Sequence, residues 1–154
     1  THNPIGGEII VAGGSGDQYD PKVEVFNDGG FTISWREGSS VYFKTYDSLG
    51  TATTSSISGP SINPSGNDFN MSSDSDSLIV ITFCNTAGRI YARRYSRNGP
   101  IVGSGIQVSE GPLSDDYGRP DVAMHSDQSF VVAYGKFTGN DKIFLRRFNS
   151  GGGA

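Results

Sequence analysis

Several residue types that support particular functions are scarce in this chain of 154 residues. Cys84 is the one cysteine, so no disulfide can form within the chain, and we expect a small buried thiol there. No apolar run approaches the roughly 20 residues of a membrane-spanning helix. The net charge is −4, and no basic stripe of the kind found in nucleic-acid-binding domains is present. We therefore expect no membrane insertion and no nucleic-acid partner.

Residues and motifs of enzyme active sites are equally scarce. The only histidines are His2 and His125, and the motifs of serine hydrolases, zinc proteases and phosphate-binding loops do not occur. The acidic residues fall in segments that are typical of turns, where solvation explains them better than a role as paired catalytic carboxylates. The sequence therefore predicts a protein that is not an enzyme.

Glycine and small polar residues are abundant instead, with 22 glycines beside 11% aromatic residues. The aromatic residues recur in short segments in which large apolar side chains alternate with others. Alternation of this kind favours short β-strands joined by polar turns over a disordered chain. The small polar residues and the scarcity of lysine indicate an extracellular or cell-surface location.

An internal repeat organises these strands. The segments 41–46, 90–95 and 143–148 each read β-branched, aromatic, apolar, cationic, any residue, aromatic, and their last residues are 49 and 53 positions apart. A strand with alternating apolar residues precedes each copy, and a turn and another short strand precede that one. A unit of about fifty residues that repeats in tandem predicts one supersecondary motif used three times.

A fourth strand follows the aromatic segment, most clearly at residues 100–108, and residues 4–11 resemble it. The chain therefore reads D-ABC three times, with units at 1–48, 49–98 and 99–154. We predict an all-β fold of three four-stranded antiparallel blades of the propeller type. Residues 149–154 stand where the last fourth strand is expected to begin.

The two ends of the chain are complementary in this scheme. The N-terminal strand would complete a blade of another copy or close a ring, and propellers have four to eight blades. Two copies would provide six blades, whereas an open contact would give a polymer. We therefore predict a homo-oligomer or polymer, with a piece of a longer repeat protein as the alternative.

Two segments resemble a known repeat. Residues 20–35 contain Pro-x-Val, then Asp-Gly-Gly-Phe, then a strand that ends in Trp35, and residues 143–151 contain Ile-x-x-Arg-x-Phe before a glycine turn. This pattern resembles the tandem β-propeller-type repeat of large secreted bacterial adhesins and RTX-type surface proteins. The resemblance implies an extracellular, non-catalytic role, and it makes calcium a candidate cofactor.

The loops between units carry the candidate binding residues, because each places an acidic or amide side chain beside an aromatic ring. These candidates are Asp17 and Tyr19, Asn67 and Phe69, and Asp116 and Tyr117. A ring can support a sugar while the polar group accepts hydroxyl protons, and the alternative is that the rings fill gaps between blades. Candidate calcium ligands in the same loops are Asp17, Asp20, Asp68 and Asp115, with capped turns as the alternative.

A second candidate set lies on the aromatic strands. Arg93 and Arg146 are each flanked by two rings on one face of a strand, which favours a cation–π contact. They could contact an anion or a carboxylated sugar at the blade edge, or pack between blades through their aliphatic stems. Together these features predict a module for adhesion or for binding glycans and cell surfaces. The alternative is a structural subunit that polymerises into an extracellular filament or layer by strand exchange.

Overall fold

The computed structural model describes residues 6–63, 69–112 and 114–154 of the chain. These residues form eleven β-strands and no helix. The strands are β1 (Gln18–Val25), β2 (Phe31–Glu37), β3 (Ser40–Tyr46), β4 (Ile57–Ser61), β5 (Phe69–Ser73), β6 (Leu78–Cys84), β7 (Ile90–Ser96), β8 (Ile101–Gln107), β9 (Tyr117–Met124), β10 (Phe130–Lys136) and β11 (Lys142–Phe148). In the part of the chain that the structure describes, no helix is long and apolar enough to cross a membrane.

The strands form three antiparallel sheets, each from consecutive strands. Sheet 1 has the order β1-β2-β3-β4, sheet 2 the order β5-β6-β7-β8, and sheet 3 the order β9-β10-β11. The prediction of an all-β fold with three antiparallel sheets is confirmed. Among residues 114–154, sheet 3 has three strands and β11 forms a free edge, as expected for a last unit whose fourth strand must come from elsewhere.

The predicted fourth strands have different outcomes. β4 and β8 pair with β3 and β7, the strands that precede them, so the predicted unit boundaries at 48/49 and 98/99 fall inside sheets. Residues 4 and 5 of the predicted first strand lie outside the described residues. The remainder, residues 6–11, is not a strand. Among the described residues no strand pairs with this segment, and a strand needs a neighbouring edge for its backbone hydrogen bonds. Its pairing with another copy, or in a closed ring, stays a prediction.

The core lies between the sheets, in two layers. One layer joins sheets 1 and 2 through residues such as Phe43 and Tyr95, whose rings meet edge-on at 5.1 Å. The other joins sheets 2 and 3 through residues such as Ala92 and Val132. All seven residues of β6 are buried, since sheet 2 is covered on both faces. This explains why six of the seven residues of β6 are apolar, whereas β1 alternates half-buried with exposed residues.

Cross-strand aromatic pairs recur in the three sheets. Phe31 opposes Tyr46 on β2 and β3, and Phe130 opposes Phe148 on β10 and β11, with ring centroids 4.9 and 4.7 Å apart. A second stacked pair occurs in all three sheets, as Trp35–Tyr42, Phe83–Tyr91 and Tyr134–Phe144, with ring centroids 6.1, 6.0 and 5.7 Å apart. Directly opposed residues are the pairs that stabilise antiparallel sheets. The repeated sequence segments thus occupy equivalent positions in the three sheets.

Candidate functional site

The loop before β1 holds the first pair of predicted site residues. Asp17 and Tyr19 are both exposed, and the Tyr19 hydroxyl donates to the Asp17 carboxylate at 2.9 Å. This hydrogen bond is the main cause that raises the pKa of Tyr19. Arg36 lies 5.2 Å from the Tyr19 ring and pairs with Asp20 at 3.2 Å. The structure therefore joins Asp17 and Tyr19, while Asp20 belongs to a separate ion pair.

The loop before β5 is described only at its end. Asn67 and Asp68, predicted as binding and calcium residues, lie outside the described residues. Phe69 is 2% exposed and packs between sheets 1 and 2, with the Lys22 ammonium 5.8 Å from its ring. Its position matches the alternative that these rings fill gaps between sheets.

The loop before β9 forms a groove against sheet 3. The groove has a volume of about 340 Å³. It is lined by Glu110, Gly111, Pro112, Asp115, Tyr117, Tyr134, Lys136 and Phe144. The loop supplies the acidic residues, β10 supplies Lys136, and β11 supplies Phe144. Of the residues predicted for this loop, Asp115 and Tyr117 line the groove, whereas the exposed Asp116 does not.

Three aromatic rings form the apolar part of the groove. Tyr117 is 4% exposed and meets Tyr134 edge-on at 5.9 Å. Tyr134 stacks on Phe144 at 5.7 Å with an interplanar angle of 17°. Phe144 is 39% exposed, so it presents ring surface to solvent while its neighbours fix its position.

Charged side chains surround these rings. Asp115 pairs with Lys136 at 2.8 Å, and Glu110 pairs with Arg146 at 2.7 Å. The Tyr117 hydroxyl lies 2.8 Å from the Asp115 carboxylate and also contacts the Glu110 carbonyl oxygen. The hydrogen bond from Lys136 is the main cause that lowers the pKa of Asp115, and burial is the main cause that raises the pKa of Tyr117. At neutral pH the carboxylate is therefore ionised and the phenol protonated.

The two predicted anion-contact residues are placed differently. Arg146 donates to the Val108 carbonyl oxygen at 3.1 Å, pairs with Glu110, and lies 5.7 Å from the Phe148 ring. It therefore ties sheet 3 to the loop before β9 at the margin of the groove. Arg93 is half-buried on the face of sheet 2 that packs against sheet 1.

Calcium binding stays a prediction. Among the described residues, no group of three or more histidine, cysteine or acidic side chains is arranged to hold a metal ion.

Sequence reasoning missed Glu110 and Lys136 as residues of this groove, and it considered Phe144 only as one of the two rings that flank Arg146. Glu110 lies seven residues before Tyr117, and Lys136 lies on the neighbouring strand. Lys136 on β10 pairs with Tyr117 on β9, and this register brings Lys136 to the loop that holds Glu110. The repeat alone does not give the pairing of Lys136 with Tyr117, because a bulge in β9 shifts the register by one residue.

Comparisons with known proteins find a structural likeness. No protein-family model matches the sequence, and no curated protein does. The fold is similar to the crystal structure of endo-arabinase from Bacteroides thetaiotaomicron, with a TM-score of 0.47 and 16% sequence identity. The match covers 85% of this chain and 56% of that chain.

This match contradicts the prediction that the chain is not an enzyme, since an endo-arabinase is an enzyme. We therefore withdraw that prediction. The chain spans a little over half the length of the protein that it resembles.

Proposed function

We propose that this chain is a propeller-type module that binds glycans in the groove between the loop before β9 and sheet 3. The observation that carries the proposal is the partly exposed Phe144 ring, which lies beside the Asp115–Lys136 ion pair in one cavity. Its volume of about 340 Å³ lies at the lower end of the range for small-molecule sites, which combine apolar walls with a few placed polar groups.

The propeller-type arrangement is supported by how the first strands of the sheets meet. β5 packs against both β1 and β9, so the first strands of successive sheets are adjacent. The sheets follow one another along the chain and pack face to face, as blades do. In such an arrangement the loops between units lie on one side of the molecule, where a rigid scaffold presents them.

The Phe144 ring suits the apolar face of a sugar. Its position is held by the stack on Tyr134, so little conformational entropy is lost when a ligand covers it. Aromatic side chains offer a large contact area with few rotatable bonds, and this makes them frequent anchors in binding sites.

The charged residues suit an uncharged ligand with many hydroxyl groups. Asp115 and Glu110 are each already paired with a cation, so neither carboxylate demands a cationic ligand. Carboxylates accept hydrogen bonds from hydroxyl groups, and the Lys136 ammonium donates them. A neutral glycan satisfies both kinds of partner at once.

The proposal is tested by glycan-array screening followed by calorimetric titration of the strongest neutral ligand. Phe144→Ala is expected to weaken binding by about tenfold or more, since it removes the ring that the sugar covers. Asp115→Asn is expected to weaken it as well, because it breaks the pair with Lys136 and removes an ionised acceptor.

Ile143→Ala is the matched control, because Ile143 is the preceding residue of β11 and is 80% exposed on the opposite face of sheet 3. It should leave the affinity unchanged. If the wild-type chain binds no neutral glycan, or if both aromatic and control variants lose affinity equally, the groove is not the site.

The recovered ligand should also be analysed by chromatography. Intact glycan agrees with a binding module, whereas shorter products would replace this proposal with glycan hydrolysis. An adhesive role, an extracellular location and a dependence on calcium stay predictions, and repeating the titration with and without calcium tests the last of them.

A further inference from the structure

One face of sheet 3 is exposed to solvent, although the equivalent faces of sheets 1 and 2 are buried. Val41 in sheet 1 and Ile90 in sheet 2 are 0% exposed, but their counterpart Ile143 is 80% exposed. Phe43 and Ala92 are likewise 0% exposed, whereas Leu145 is 69% exposed. In sheets 1 and 2 these residues pack against the next sheet along the chain. Sheet 3 therefore presents, uncovered, the face that sheets 1 and 2 cover.

The opposite situation occurs at sheet 1. Val23 is 61% exposed, whereas its counterparts Met71 in sheet 2 and Val122 in sheet 3 are 3% and 8% exposed. Met71 and Val122 are covered by the preceding sheet. The exposed face of sheet 1 is thus the complement of the exposed face of sheet 3.

The N-terminal segment occupies the place of a fourth strand from a preceding sheet. The Ile57 side chain, on β4 of sheet 1, packs against Gly99 in the turn between β7 and β8 of sheet 2. A methyl group on Gly99 would lie only 2.8 Å from the Ile57 side chain. Ile106 of β8 makes the same contact with Gly152, at 2.7 Å. Ile9 makes it with Gly50, at 2.8 Å.

The register of β4 and β8 then assigns Ile9 a partner. Ile57 is paired with Phe43, and Ile106 is paired with Ala92. Since Ile9 matches Ile57 and Ile106, its expected partner is the residue of sheet 3 that matches Phe43 and Ala92. That residue is Leu145, on the free edge strand β11.

Hydrogen bonds to the turns between third and fourth strands point independently to the same contact. Thr45 donates to the Arg97 carbonyl oxygen in the turn of sheet 2, at 2.9 Å. Its counterpart Arg94 donates to the Ser150 and Gly151 carbonyl oxygens in the turn of sheet 3, at 2.5 and 2.9 Å. Arg147 is the third member of this series and is exposed. The turn that it would reach is that of sheet 1, at residues 47–50.

We propose that sheet 3 of one copy binds the N-terminal segment and the exposed face of sheet 1 of a second copy. Residues 6–11 of the second copy become the fourth strand of sheet 3, with Ile9 opposite Leu145. Arg147 donates to the Ser48 and Leu49 carbonyl oxygens of the second copy, as Arg94 does within the chain. The contact joins two different surfaces, so it generates a ring or an open chain. This proposal does not depend on glycan binding.

The register is tested by mixing two single variants, Ile9→Cys and Leu145→Cys, with one of them labelled with ¹⁵N. After mild oxidation, peptide mapping by mass spectrometry should find a disulfide that joins a labelled to an unlabelled chain between these two positions. Neighbouring strands bring opposed residues within the distance that a disulfide requires. Cys84 is 1% exposed and does not compete.

The matched control replaces Leu145→Cys with Asn140→Cys, which places the thiol in the exposed turn between β10 and β11. Cross-linking with Ile9→Cys should then fall to the background of random encounters. Equal yields for the two pairs would overturn the register.

Sedimentation velocity over a concentration series tests the contact itself. Leu145→Asp should raise the dissociation constant of self-association by about tenfold or more, because it places a charge in an apolar contact. Asn140→Asp adds the same charge on the turn and should change nothing. Both side chains are exposed in the single chain, so neither variant should unfold it. A wild-type chain that stays monomeric up to about 1 mM would overturn the proposal.

Discussion

Replacing Asp74 should destabilise the protein more than replacing any exposed acidic residue. Asp74 lies in the turn between β5 and β6, and it is 3% exposed. One carboxylate oxygen accepts hydrogen bonds from the backbone N–H groups of Asp76, Ser77 and Leu78, at 2.9, 2.7 and 2.9 Å. The other oxygen accepts from the Ser77 hydroxyl at 3.1 Å and from the side chain of Gln128, in the turn between β9 and β10, at 3.0 Å.

The magnitude follows from these bonds. A hydrogen bond contributes roughly 1 kcal/mol net, and a buried donor left without a partner costs about 1–3 kcal/mol. Asp74→Ala leaves three backbone donors without their acceptor, so we expect a loss of about 3 kcal/mol in the free energy of unfolding. Asp74→Asn keeps one acceptor oxygen but loses the charge, so we expect a smaller loss of about 1–2 kcal/mol.

The penalty should also depend on pH. Burial by itself would raise the pKa of Asp74, but the N–H groups of Leu78, Ser77 and Asp76 outweigh it and lower the pKa below its ordinary value. The stability from the ionised carboxylate is therefore fully present above the unfolded-state pKa of about 3.9, and it is lost as the pH falls through the lower folded-state value. The difference between wild type and Asp74→Asn should shrink in that range.

Urea unfolding, followed by the fluorescence of the single tryptophan Trp35, measures these differences at neutral pH and at a series of acidic pH values. Asp116→Asn is the control, since Asp116 is exposed and should lose less than about 0.5 kcal/mol. A loss below about 1 kcal/mol for Asp74→Ala, or a penalty for Asp74→Asn that does not change with pH, would refute the reasoning.

Two further predictions concern the core and an exposed turn. Phe43→Ala should reduce the free energy of unfolding by about 3–5 kcal/mol, because it empties the contact between sheets 1 and 2, whereas Ile101→Ala at a 56% exposed site should cost less than about 1 kcal/mol in the same assay. The pKa of Asp127 is lowered to about 2, mainly by hydrogen bonds from the Ser129 hydroxyl and backbone N–H and then from His125. Ser129→Ala should therefore raise the pKa of Asp127 in an NMR titration of its carboxyl carbon, and an unchanged value would contradict this assignment.

Much of the fold could be predicted because the chain repeats itself. The third strands of the three units were read from one pattern of aromatic and cationic residues, and they became β3, β7 and β11 in equivalent positions. Alternation of large apolar residues identified β2 and β10. In β10 these residues pack against sheet 2, whereas in β2 Phe31 and Ile33 share the face of exposed Val23. The same alternation identified β6, although all seven of its residues are buried because sheet 2 is covered on both faces.

The candidate site was predicted less completely. Asp115 and Tyr117 were selected from their loop and both line the groove, but the rings of Phe69 and Tyr117 are only 2% and 4% exposed, so neither presents an open face to solvent. The same composition occurs in the loop of Tyr19, whose ring is 44% exposed. Whether an aromatic residue in these loops fills a core or presents a surface depends on which face of its strand it occupies, and a bulge shifts that face by one residue.

The sequence by itself determined the all-β fold class, the three repeated antiparallel units and most strands, because strand periodicity and turn residues act over short distances along the chain. Only the tertiary structure decided that Glu110, Lys136 and Phe144 meet in one groove, since they come from different elements. It also decided that the face of sheet 3 with Leu145 stays uncovered while the matching faces of sheets 1 and 2 are buried. Identical local patterns cannot encode this difference, because the exposure of a sheet face depends on which neighbour packs against it.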